Sequence, residues 1–353
     1  MPTALEKVFG GRERMGQYAG VATPADFGDV RAEYDTLRRS AGIFDLSWRG
    51  KLELTGSDRA RWLNGMITNN VRDLAPGSGV YAFLLNPQGK ILGDLYAYNL
   101  GESIVVETDH SQKEKMVGTF EHYIIMDDVE VANLDERYAA LGVAGPEARS
   151  VLGKAGFTLP EFEPLQVVDL DWNGRPFKIV RREVESHAEF ELWFSPEIGP
   201  SVWEAITGAG AKPVGSDALE LLRIARGIPL YGVDIRERDL PQETEQSRAL
   251  NFNKGCYVGQ EIVERIRSRG NVHRKFTGFI VEGPVLASGA KIESAGKEVG
   301  EITSSAALPA SGGMTIVALG YIRREILALK KDLTATGTRL VPVDLPFGNQ
   351  LSA

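Results

Sequence analysis

From about Val272 to the C-terminus the chain changes character. Short strand signals alternate with glycine-rich turns at Gly283-Pro284, Ser288-Gly289, Gly296, Gly300 and Gly312-Gly313, and helical periodicity nearly vanishes. Such a stretch has no helical stripe to bury, so its strands must close on one another. It reads as a small separate β-barrel or sandwich over residues 272–353. Residues 1–271 instead mix helical and strand signals. For 353 residues, roughly 150 per domain gives about two to three domains, or one large one with an appendage.

The local signals within residues 1–271 are specific enough to test. Thr23 caps a helix with Pro24 in its first position, and Phe27, Val30, Tyr34 and Leu37 form its stripe. Leu52 and Leu54 alternate with Lys51, Glu53 and Thr55, and a helix then starts near Ser57 and carries Leu63, Met66 and Ile67. Asn86-Pro87-Gln88-Gly89 is a turn between two long strand signals. Pairing Leu85 with Lys90 there would bring Tyr81 opposite Asp94. Ser111 and Glu114 form a capping box at the start of another helix, and one more opens near Pro146. Phe190, Leu192 and Phe194 alternate with Glu191 and Trp193, as in a half-buried strand with a carboxylate on its other face. Ser216 to Arg226 is helical, with Leu219 and Leu222 inward, and ends at Gly227 and Pro229.

Composition narrows the chemistry. One cysteine, Cys256, excludes an intramolecular disulfide framework and any four-cysteine zinc or iron–sulfur site built from one chain. His110, His122, His187 and His273 show no metal-ligand spacing, so no metal site is expected. The net charge of −8 argues against a nucleic-acid binder with a basic field over the whole chain. The longest apolar stretches, such as Met314 to Ile322, reach about half of a bilayer span, and the first thirty residues, with Lys7, Arg12, Glu13 and Arg14, hold no apolar signal core. The expectation is a soluble, cytoplasmic protein with no membrane contact.

The most specific stretch is Lys254-Gly255-Cys256-Tyr257-Val258-Gly259-Gln260-Glu261. A helix starting just after the thiol, together with Lys254, would favour thiolate; the alternative is a small buried residue. Arg265, Arg267, Arg269, Arg274 and Lys275 form a basic run that would draw an anionic ligand or else be a solvated face. Asp94, between Gly93 and Leu95 in an apolar strand, is either partnered and functional or an edge residue facing water. Glu191 and Arg223, taken singly, read more readily as exposed charges on amphipathic elements than as functional groups.

Together these stretches resemble the folate-binding family of glycine-cleavage T-proteins (aminomethyltransferases) and their relatives that assist iron–sulfur proteins. The resemblance rests on Gly42-Ile43-Phe44-Asp45-Leu46-Ser47, Thr68-Asn69, Tyr81 through Asp94-Leu95, Phe190-Glu191-Leu192, Leu222-Arg223-Ile224-Ala225, Gly227 to Gly232 and Leu345-Pro346-Phe347. The Lys-Gly-Cys-Tyr-x-Gly-Gln-Glu stretch is similar to the signature of the iron–sulfur-assisting branch. The chain has Gly93-Asp94 where T-proteins usually carry two aspartates, and Gly348 where they tend to carry a tyrosine. The resemblance implies an α+β fold of α/β subdomains around a central channel, followed by a C-terminal β-barrel. It also implies a tetrahydrofolate site, for the cofactor or a one-carbon derivative. In that site Glu191 reads the pterin, Arg223 and Tyr81 line the pocket, and Asp94 lies near N5.

Three functions follow. The first is a tetrahydrofolate-binding protein that supports iron–sulfur assembly or repair through Cys256, with iron–sulfur client or assembly proteins as partners. The second is a folate-dependent aminomethyltransferase using Asp94. The third is a non-catalytic adaptor touching RNA through Arg265 to Lys275, against which the net acidity weighs.

Overall fold

The computed structural model describes residues 5, 8–9, 11, 13–183, 189–270, 272–310, 312–329 and 331–351; the side chains at 269, 349 and 350 are outside that description. Lys7, Arg12, His187 and the Arg269 side chain, singled out above, therefore lie outside the described residues. The chain forms two compact units, one of residues 1–82 and 95–219 and one of residues 83–94 and 220–353.

The first unit begins with an antiparallel pair, β1 (Arg14–Tyr18) and β2 (Val21–Asp26), followed by α1 (Val30–Arg39), β3 (Gly42–Asp45), β4 (Arg49–Thr55) and α2 (Arg59–Met66). Then come β5 (Ser78–Leu85) and β6 (Ile91–Asn99), whose residues 83–94 belong to the second unit, followed by β7 (Ile104–Asp109), α3 (His110–Tyr123), β8 (Glu130–Asn133), β9 (Ala139–Ala144) and α4 (Ala148–Lys154). The unit continues with β10 (Val167–Trp172), β11 (Arg175–Arg181), β12 (Glu189–Phe194), α5 (Gly199–Gly208), β13 (Lys212–Pro213) and the start of α6 (Ser216–Ala225). The strands build a five-stranded sheet in the order β5-β6-β7-β4-β8 and a six-stranded sheet in the order β10-β11-β12-β9-β3-β13. Ile43, Leu141, Phe190, Leu192 and Phe194 of the six-stranded sheet pack with Val202 and Ile206 of α5 into one apolar core. Burial of each such side chain contributes roughly 1.5–3 kcal/mol.

The second unit contains α7 (Gln260–Arg269), β14 (Arg274–Val281), β15 (Lys291–Ser294), β16 (Lys297–Ala310), β17 (Gly313–Arg323), α8 (Arg324–Ala328), β18 (Leu333–Ala335), β19 (Thr338–Val343) and α9 (Gly348–Leu351). Its six strands close into a barrel in the order β14-β17-β16-β15-β18-β19. Phe279, Ile292, Ile302, Ala318, Ile322 and Leu340 fill the barrel. An α+β chain with a C-terminal barrel is thus the architecture observed. Among the described residues no helix is long and apolar enough to cross a membrane.

Several local expectations need correction. Thr23 and Pro24 do not start a helix. They lie in β2 opposite Gly16 and Met15, and the Thr23 hydroxyl donates to Asp45 (3.0 Å). The cap of α1 is Asp29, whose carboxylate accepts from the N–H groups of Arg31 and Ala32. The capping box at Ser111 is also absent. Helix α3 starts at His110 behind Asp109, whose carboxylate is held by Arg49 instead of the helix. Strand β12 is not half-buried, because Glu191 and Trp193 are as inaccessible as Phe190 and Leu192. The turn closes one residue later than expected. Asn86 N–H donates to the Lys90 carbonyl (2.9 Å) and Gly89 N–H to the Asn86 carbonyl (2.9 Å), with Gly89 at φ +70°. A three-residue loop with a left-handed glycine therefore pairs Asn86, not Leu85, with Lys90, which removes the premise that set Tyr81 opposite Asp94.

Candidate functional site

In the first unit the candidate site is a buried charge cluster between its two sheets. Tyr96 of β6, Glu107 of β7 and Lys51 of β4 stand in one row across three strands, and Arg49 pairs with Asp109 one step along. Glu191 comes from β12 of the other sheet, opposite Gly142 and Val180. Lys51 Nζ donates to both Glu107 Oε1 (3.1 Å) and Glu191 Oε1 (3.2 Å). Arg182 Nη1 donates to Glu107 Oε2 (3.3 Å) and Glu191 Oε2 (3.2 Å), Arg49 Nη2 donates to Glu107 Oε2 (3.2 Å), and Trp193 Nε1 donates to Glu191 Oε1 (2.7 Å). Three cations face three carboxylates, which is the condition under which such charges tolerate burial.

The two glutamates titrate in opposite directions. Burial pushes the Glu191 carboxyl up to about 7, and its neighbour Glu107 pushes the same way against Lys51 and Arg182. Burial acts on Glu107 as well, but Arg49 and Lys51 outweigh it and hold Glu107 well below the usual carboxylate range. Of the two, Glu191 is therefore the carboxyl whose protonated form the site favours.

Aromatic rings surround this cluster. The Tyr81 ring lies 5.0 Å from that of Tyr96, Tyr96 and Tyr98 stack at 6.3 Å, and Tyr98 meets Trp193 edge-on at 5.5 Å. Asn69 donates to the Tyr81 carbonyl (2.8 Å), which explains why Thr68-Asn69 accompanies Tyr81. The Tyr98 hydroxyl is buried, has no hydrogen-bond partner among the described residues, and feels the charges of Glu107, Arg182 and Glu191. A planar ring bearing adjacent N–H donors and acceptors matches this set: flat aromatic faces, a carboxyl and one hydroxyl with bonding capacity to spare.

In the second unit Arg223 is an anchor. Nε and Nη2 donate to Glu220, Nη1 donates to the Ile228 carbonyl (2.6 Å) and Asp234 Oδ2 (2.6 Å), and Nη2 also donates to Ser304 Oγ (3.0 Å). All five N–H donors of the guanidinium are thus engaged. Asp94 is half-buried. After burial and Glu237, its charge helps to push up the hydroxyl of Tyr231, which donates to the Leu92 carbonyl (2.6 Å).

Cys256 is exposed, which removes the buried-residue alternative. Helix α7 does not begin just after it, since Gly259 is the cap and Gln260 the first helical residue. Burial pushes the Lys254 ammonium down to about 7, so it carries a reduced charge near neutral pH, and it sits 5.0 Å over the Tyr257 ring. Both expected aids to the thiolate are weaker than the sequence pattern implies. The basic run is compensated: Arg265 pairs with Glu261, Arg267 with Glu264, Arg274 with Asp239 and Glu243, and Lys275 with Glu245.

Of the singled-out residues, the structure brings Tyr81 and Glu191 into the first unit and Asp94, Arg223 and Cys256 into the second. Lys51, Glu107, Arg182, Tyr96, Tyr98 and Trp193 were not anticipated. One of them carried a signal: Trp193 shares a strand face with Glu191.

The GCVT N-terminal domain family matches residues 7–254. An aminomethyltransferase of Rubrobacter xylanophilus is 30% identical over 345 residues, covering 95% of this chain and 90% of that one. An aminomethyltransferase of Streptomyces coelicolor is 31% identical, covering 87% and 85%. The crystal structure of the glycine cleavage system aminomethyltransferase T from Bartonella henselae shares the fold, with a TM-score of 0.88 at 22% identity over 100% of this chain and 99% of that one. The chain belongs to the glycine-cleavage T-protein (aminomethyltransferase) family.

Proposed function

We propose that the protein binds tetrahydrofolate and acts as a folate-dependent aminomethyltransferase or closely related one-carbon transferase. The observation that carries this is Glu191, fully buried and bonded to Trp193 at the end of a row of rings that runs through Tyr98 and Tyr96 to Tyr81, in a chain of this family. Bound tetrahydrofolate supplies N5 as the nucleophile that accepts the one-carbon unit. Glu191 accepts hydrogen bonds from the pterin edge. Tyr81 covers the ring, Arg223 braces the Ile228–Asp234 segment that carries Tyr231, and Asp94 steadies positive charge near N5. The division into a folate-binding region of residues 1–271 and a barrel of residues 272–353 is proposed as a division of labour.

A second reading rests on the exposure of Cys256. In it the folate-binding protein supports iron–sulfur assembly or repair through that thiol and meets iron–sulfur client or assembly proteins.

Truncating a buried charge that pairs with a ligand costs about 2–5 kcal/mol. Calorimetric titration with tetrahydrofolate should give binding to the wild type and a loss of well over tenfold in Glu191→Ala. No binding to the wild type, or unchanged affinity in the variant, overturns the proposal.

A further inference from the structure

Glu191 has protein donors on both oxygens, so a ligand that reads it must take the place of one. Trp193 is fully buried and Lys51 is 2% exposed, whereas the Arg182 side chain is 21% exposed. Its bonds to Glu191 and Glu107 measure 3.2 and 3.3 Å, no shorter than the 3.2 and 3.1 Å of Lys51 and longer than the 2.7 Å of Trp193, so among the three partners Arg182 is set apart by its access to solvent. The guanidinium carbon lies 4.6 Å from the Tyr96 ring centroid. A flat N–C–N group with adjacent N–H donors, laid on a tyrosine face and paired to a carboxylate, has the shape and donor pattern of the aminopyrimidine edge of a pterin.

We propose that Arg182 is an internal stand-in for the pterin edge, a displaceable latch that holds Glu191 Oε2 and the Tyr96 face until the ligand's own N–C–N edge replaces it. The inference rests on the folate reading of the same site and adds a specificity device to it. Only a ligand that returns equivalent N–H donors to Glu191 repays the bonds broken. Glu107 does not need Arg182 to stay ionised, because Arg49 and Lys51 remain on it. Arg182 is thus a positioning residue: it governs entry and makes no bond in the product complex.

The test is stopped-flow binding of 5-formyltetrahydrofolate, read by intrinsic fluorescence at pH 8.5, where the carboxyl of Glu191 near 7 is ionised. The wild-type rate should level off as ligand is raised, because latch opening becomes limiting. In Arg182→Met the rate should rise linearly with ligand and affinity should improve at least threefold. That gain should shrink toward pH 6, since losing the cation pushes Glu191 further up. Arg182→Lys, which keeps the charge, should bind faster than wild type even if the methionine variant folds poorly. Wild-type binding accompanied by weaker Arg182→Met affinity, or by an Arg182→Lys rate no faster than wild type, overturns the latch alone. No binding to the wild type overturns the folate reading and the latch with it.

Discussion

Glu191 and Glu107 show how much one neighbour decides. Both are fully buried, yet burial and the charge of Glu107 push Glu191 up to about 7, while Glu107, with three cationic donors to the two of Glu191, is held well below the usual carboxylate range. A carboxyl raised in the fold adds stability that is complete below its unfolded value, about 4.3, and is lost as pH rises through the folded value. For Glu191 that window runs from about pH 4.3 to about 7. Glu107 has the opposite sense, contributing above its unfolded value and losing that contribution as pH falls below. Glu191→Gln keeps the shape and removes the titration. Its unfolding free energy relative to wild type, from urea titrations, should therefore climb between pH 5 and 7.5 and level off above pH 8, a change on the order of 1–3 kcal/mol. A difference that stays constant across this range would show that Glu191 does not titrate there.

At the scale of the element, the cysteine signature divides into a seat and an exposed group. Gly259 has φ +81°, and a Cβ there would lie 2.6 Å from the Asn86 carbonyl oxygen; a Cβ on Gly89 would lie 2.7 Å from that of Ile262. The β5–β6 turn is thus seated directly against the start of α7, and Cys256 is left exposed. Gly259→Ala should cost at least about 2 kcal/mol in urea unfolding, from the left-handed backbone and the contact with a rigid carbonyl. Cys256→Ser should stay within about 0.5 kcal/mol of wild type. If the iron–sulfur reading holds, that folded variant should fail to restore iron–sulfur enzyme activity in cells lacking the protein; full rescue removes the reading. The barrel was legible because glycine-rich turns punctuate alternating strands. The helix at Thr23 was misread because Thr23 and Pro24 serve a strand and Asp45 as readily as a cap. The charge cluster was barely legible: Lys51, Glu107 and Glu191 come from three strands and Arg182 from the residue after β11, their facing is set by the packing of two sheets, and each alone looks like a surface charge.

For the second unit as a whole, the question is whether the barrel is a folding unit by itself. Asp234 is fully buried and accepts from Arg223, Thr303, Ser304 (2.8 Å) and the N–H of Leu230 (2.9 Å). Thr303 and Ser304 sit where β16 shifts register against β17, so this carboxylate is bonded to a distorted barrel strand and to the segment after α6 at once. Arg274 of β14 is bonded to Asp239 and Glu243, and the N–H of the buried Phe347 donates to the Ala225 carbonyl (3.2 Å). Residues 220–271 therefore supply acceptors to the barrel's own side chains, so a cut at residue 272 would strand buried polar groups on both sides. Removing one member of a buried ion pair typically costs about 3–5 kcal/mol. In Asp234→Ala that loss should appear together in two places by hydrogen exchange on the intact chain, at residues 228–235 and in β16 and β17. Protection lost only at residues 228–235, with the barrel strands exchanging as in wild type, would show that the barrel folds alone and that residue 272 is a folding boundary.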